Sequence, residues 1–98
     1  MTDYWISFRL KSDASYSSRY NALTDAIYAN VAGIWDGDTS FLAVRTNETI
    51  DSLAAKLKAT INPSTDHLVM REIGKDSTRY IGEPGGGFLA FFPNAKKV

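Results

Sequence analysis

The chain has 98 residues, 44% of them apolar and 12% aromatic, which is about one domain with enough apolar mass for a packed interior. Eleven Lys and Arg balance eleven Asp and Glu, so no net field draws in nucleic acid or anionic lipid, and any such contact has to come from a local patch. The absence of cysteine excludes disulfides, thiolate metal sites and cysteine nucleophiles.

The sequence starts Met1-Thr2-Asp3-Tyr4-Trp5, with a charge where a signal peptide needs an apolar run, and no segment approaches about 18 apolar residues. A soluble cytoplasmic protein without membrane contact is the expectation. Residues 4–11 alternate: Tyr4, Ile6, Phe8 and Leu10 fall on one side of an extended chain, and Trp5, Ser7, Arg9 and Lys11 on the other. This is a strand with one apolar face and one mixed, basic face.

Tyr16, Tyr20, Leu23, Ile27 and Val31 then recur at helical spacing and predict an amphipathic helix over about 17–30, capped by Ser15 or Ser17 and ended by Gly33. Two short extended segments, 32–35 and 39–45, flank Asp36-Gly37-Asp38, a hairpin signal. Asn47 is the expected cap of a second helix, with Glu48 and Asp51 as first-turn acids that suit the positive end of its dipole. Its stripe is Ile50, Leu53, Ala54, Leu57 and Ile61, with Lys56 and Lys58 outward and a stop at Asn62-Pro63. Residues 67–73 form the fourth strand.

The order strand–helix–strand–strand–helix–strand predicts an α+β, ferredoxin-like sandwich over 1–76, a four-stranded antiparallel sheet with two helices on one face. The opposite face is expected to be bare and to carry Trp5, Ser7, Arg9, Phe41, Ala43 and Arg45. Residues 77–98 form a C-terminal extension. Within it, 77–82 read as a short strand or turn, and Gly85-Gly86-Gly87 as a hinge lacking the Lys-Ser/Thr of a phosphate loop. Phe88-Leu89-Ala90-Phe91-Phe92 is too apolar to be left in water, so it is expected as an added edge strand or a strand exchanged with a partner subunit.

Residues 3–74, with Tyr20-Asn21-Ala22-Leu23, Asp38-Thr39-Ser40-Phe41-Leu42 and Asp66-His67-Leu68-Val69-Met70, resemble the small ferredoxin-like proteins of the Cas-two family, and more closely its SinR-like relatives. The resemblance implies homodimers related to the CRISPR adaptation subunit, some of them metal-dependent nucleases. In that family the first strand ends in Tyr-Asp-Leu or a similar triplet, whose Asp helps to hold a divalent cation. Here the matching triplet is Phe8-Arg9-Leu10, and a guanidinium repels a cation rather than ligating it.

The resemblance therefore implies a non-catalytic homodimeric binding or scaffolding protein with no cofactor. Arg9, Lys11, Arg45 and Arg71 are its expected contacts to nucleic acid or another acidic partner, and Trp5, Phe41, Phe88, Phe91 and Phe92 its expected dimer interface. Arg9 and Arg45 either form one basic spot or pair with carboxylates such as Glu72. Trp5, Trp35 and Phe41 either stack bases or anchor a core. His67, the single histidine, is expected as a strand-end residue beside Asp66, with no second nitrogen or sulfur ligand near it. Asp36, Asp38 and Glu48 read as turn and cap residues. Two alternatives stay open: a metal-dependent nuclease using Asp13, Asp36 or Asp38, and a small-molecule-sensing regulatory domain.

Overall fold

The computed structural model describes residues 1–38, 40–74 and 77–98. Strand β1 (Thr2–Arg9) is central, and its alternation becomes a two-faced strand: Tyr4, Ile6 and Phe8 are buried, while Trp5 and Ser7 are half-buried and Arg9 is exposed. Helix α1 (Tyr16–Asn30) follows, then strands β2 (Gly33–Asp38) and β3 (Phe41–Thr46), helix α2 (Ile50–Lys58) and strand β4 (His67–Glu72). The sheet runs β2-β3-β1-β4 with every neighbouring pair antiparallel.

Leu23 and Ile27 of α1 and Leu53 and Leu57 of α2 pack in one cluster with Tyr4, Ile6, Phe8 and Leu10 of the first-strand stretch and Leu42 and Val44 of β3. The apolar stripe of α1 is narrower than its spacing predicts, because Tyr16 and Tyr20 sit at the rim, 37% and 38% exposed, with their rings stacked. Thr46, buried on β3, ties α1 to the sheet by donating to the Asn30 carbonyl at 2.6 Å and accepting from the Glu48 amide.

Several local expectations shift. Asp36-Gly37-Asp38 lies inside β2 rather than in the turn, and the register slips between Trp35 and Asp38. A bulge of this kind bends the strand without ending it. Thr39, expected at the start of the next strand, lies outside the described residues. The cap of α2 is Thr49, whose hydroxyl accepts the Ser52 amide at 3.1 Å, not Asn47. Ser15 occupies the cap position of α1 but makes no side-chain cap bond, since its hydroxyl is drawn to Asp13 and Arg19.

The largest correction concerns the C-terminal extension. Short strands β5 (Arg79–Tyr80) and β6 (Lys96–Lys97) pair in parallel, and between them residues 88–91 form a helical turn, α3 (Phe88–Phe91), instead of an edge or exchanged strand. Phe88, Phe91 and Phe92 are spaced i, i+3 and i+4, which puts three rings on one side of a turn; an extended chain would turn Phe91 away from Phe88 and Phe92. Leu89 and Ala90 face out. Gly87, at φ 87°, supplies the left-handed residue that starts the turn.

The extension thus acts as a strap over the sheet face that was expected to be bare. Phe88, Phe91 and Phe92 form a second core with Trp35 and Ala43, with Phe41, Ile73, Tyr80 and Ala95 packed around it. Gly37 allows the close approach: a Cβ there would lie 2.7 Å from the Pro84 carbonyl oxygen and 2.8 Å from the Trp35 ring. Among the described residues no helix is long and apolar enough to cross a membrane.

Candidate functional site

The strap covers the β2–β3 half of the back face and leaves a strip along β1 and β4 open. Antiparallel register places side chains of directly opposed residues on the same face. Arg9 lies opposite His67, Ser7 opposite Val69 and Trp5 opposite Arg71, so one open surface carries all six. Arg9, His67 and Arg71 are exposed, and Val69 is 54% exposed. Trp5, between Arg71 on one side and Ala43 on the other, stands where the open strip meets the strap.

The two arginines first considered together are far apart. Arg45 lies opposite Asp3. Arg9 is six residues further along β1, about 20 Å away. Arg45 is also committed elsewhere: its Nε and Nη2 donate to the two Asp3 oxygens at 2.7 and 3.0 Å, and its guanidinium carbon sits 5.3 Å from the centre of the Phe91 ring. Arg9 and Arg71 have no ion pair among the described residues. Lys11 continues past β1; its side chain is exposed, and its amide is bound to Asp66.

Against the strap the aromatic rings form a chain. Trp5 stacks on Phe41 at 6.1 Å between centroids, and Trp35 meets Phe41 and Phe88 edge-on at 6.2 and 5.1 Å. Tyr80 meets Phe88 edge-on at 5.3 Å, and Phe88 stacks on Phe92 at 5.0 Å. Offset and edge-to-face pairs at these separations add to the stabilisation from buried area. The Trp35 indole N–H donates to the Pro84 carbonyl at 3.0 Å, so this ring belongs to the core and is not available to a ligand. Phe88, Phe91 and Phe92, expected at a dimer interface, are buried within their own chain. Trp5 and Phe41 are only half-buried.

Sequence reasoning missed the strongest polar cluster. Asp66, with a fully buried side chain, accepts the Lys11 and Asn62 amides at 2.8 and 2.9 Å and both oxygens meet Arg19 Nη1, at 2.7 and 2.6 Å. Arg19 Nη2 donates to Asp13 at 2.6 Å and to the Lys11 carbonyl at 3.0 Å. Burial pushes the Asp66 carboxyl upward, but the two amides and the guanidinium outweigh it and hold the group at about 2. Every strong acceptor position is used internally, so this is a clamp joining the end of β1, α1 and the segment before β4. No spacing rule could have found it, because its members are 47 and 55 residues apart.

The other carboxylates considered for chemistry are dispersed. Asp36 accepts the Tyr28 hydroxyl at 2.8 Å, and this bond holds the phenol above its ordinary pKa. Asp13 is held low by Arg19, and Glu48 by Lys56 and Ser52. Among the described residues no group of three or more His, Asp or Glu side chains is placed to hold a metal ion. His67 is the first residue of β4, directly after Asp66 as expected, and is exposed opposite Arg9. Comparison with known proteins finds no family model and no curated protein that matches the chain.

Proposed function

We propose that this protein is a non-catalytic binding module with a ferredoxin-like sandwich that holds single-stranded nucleic acid along the open strip of its sheet. The observation that carries this reading is the placement of Arg9 and Arg71 on one face with Trp5. Among the described residues neither guanidinium meets a carboxylate, whereas Arg19 and Arg45 are tied to Asp13, Asp66 and Asp3. Uncommitted guanidiniums attract phosphate, and a half-buried indole beside them gives a base somewhere to stack. Lys11, exposed just beyond β1, extends the same patch.

The strand order and the two helices sharing one core support the ferredoxin-like assignment. The resemblance to the Cas-two and SinR-like proteins supports assembly as a homodimer. The arginine in Phe8-Arg9-Leu10 supports binding without cleavage.

Fluorescence anisotropy of labelled DNA and RNA strands of roughly 12 nucleotides tests the proposal. Affinity is expected to fall between about 50 and 200 mM salt, and Arg9→Ala or Arg71→Ala to lower the logarithmic salt slope by about 0.7 each. The strands are expected to stay intact with magnesium or manganese. Binding that ignores salt and both substitutions would overturn the reading. So would cleavage that a chelator and Asp38→Ala both abolish. A monomer in sedimentation equilibrium would remove the homodimer.

A further inference from the structure

The open strip runs into a cleft between the sheet and the strap. This cleft, of about 520 Å³, is lined by Trp5, Phe41, Tyr80 and Phe92 with Arg79 and Asp38 among its polar groups. Trp5 and Phe92 also wall a smaller cleft of about 230 Å³ that reaches Arg71. A strand held at Arg71 therefore passes the Trp5 ring on its way to the larger cleft.

The larger volume falls within the range of about 300–1,000 Å³ typical of small-ligand sites. The Trp5 indole N–H has no acceptor among the described residues, in contrast to that of Trp35, which is bound to Pro84. Arg79 has no carboxylate partner among the described residues, its Nη1 donating to the Thr78 carbonyl. Among the described residues the Asp38 carboxylate has no partner either, and it can accept from an exocyclic amine.

We infer that the cleft beneath the strap seats one unstacked nucleobase of the bound strand, with Trp5 as its stacking surface and Arg79 and Arg71 holding the flanking phosphates. This rests on the reading above and narrows the ligand to a strand with exposed bases. A base offers a π-face to the ring and a polar edge to the rim, and stacking of this kind tolerates any base identity. The two guanidiniums lie on the two clefts that share Trp5, so backbone charge and base are met at one point.

The probe is a labelled DNA strand of roughly 12 nucleotides, compared with the same strand whose sugars lack bases. The two have equal phosphate charge, so electrostatic holding alone binds them equally. The base-bearing strand is expected to bind about tenfold tighter, with Trp5→Leu removing the difference and Trp5→Phe keeping most of it. Thermal melts of both variants check that the strap stays folded, and the phenylalanine variant keeps the test decisive if the leucine variant loosens it. Equal affinity for the two strands, unchanged by either substitution, would overturn the base site and leave the nucleic-acid reading standing. No binding of either strand would overturn both.

Discussion

The two faces of the sheet are buried by different means. On one face, α1 and α2 lay aliphatic side chains across Tyr4, Ile6 and Phe8, and the contacts repeat over several helical turns. On the other face, a four-residue helix and two two-residue strands bring a few large rings onto Trp35 and Ala43. The first core is held along long elements whose hydrogen bonds are internal. The second depends on a short strap whose position is set by ring contacts, one indole hydrogen bond and a parallel pairing of two residues per strand. A strap with so few backbone bonds can open without the sheet, whereas the helices cannot leave without exposing Ile6, Leu23, Ile27 and Leu53 together.

Paired core truncations should break this comparison most sharply. Ile6→Ala, at a side chain with no exposed surface, is expected to cost about 2–5 kcal/mol and to lower the urea midpoint of the whole domain. Phe88→Ala is expected to lower the midpoint of the whole domain less, because the strap lets go while the helix-side core holds. Hydrogen exchange checks the difference: amides at 80–95 should lose protection in Phe88→Ala while those of β1 keep it. Equal loss across both regions would mean that the two cores fold as one unit.

Gly37→Ala is a finer probe of how the strap is seated. The added methyl meets the Pro84 carbonyl and the Trp35 ring, and a clash of this size costs about 1–2 kcal/mol. Its mark should be a change in Trp35 fluorescence without a change in helix content by circular dichroism. An unaltered indole spectrum would show that the strap is not seated against β2.

The smallest effect within ordinary pH lies on the helix side. Asp66 has its folded pKa lowered to about 2, so it stabilises the folded state above its ordinary carboxylate value of 3.8, and that contribution is lost as pH falls from 3.8 through about 2. Acid titration should therefore loosen the β1–α1 junction, and Asp66→Asn should flatten the stability profile in that window. Arg19→Met, which removes the guanidinium but keeps length, should raise the folded Asp66 pKa toward 3.8, so that less stability is lost and the loss is complete at a higher pH. A profile unchanged by either substitution would remove the clamp from the account.

The helix-side core was legible because each of its elements carries a period. β1 alternates over eight residues, and α2 repeats Ile50, Leu53, Ala54 and Leu57 at helical spacing, so face and partner follow from geometry. The strap was not legible. Five consecutive apolar or small residues at 88–92 satisfy a strand and a helix equally, and the choice falls to the shape of the surface they meet. The candidate site divides the same way: Trp5, Arg9 and Arg71 could be assigned to faces of their own strands, but the pairing of Arg45 with Asp3 and of Arg19 with Asp66 arises across 42 and 47 residues.

The sequence alone determined the order of the elements from β1 to β4, the apolar face of the central strand and the amphipathic face of α2, because all three are local periodicities of an extended or helical chain. Only the tertiary structure decided that residues 77–98 return to cover half of the opposite face, and which arginines are left without a carboxylate. Both outcomes depend on distances between residues remote in the chain, and those distances exist only once the sheet has formed.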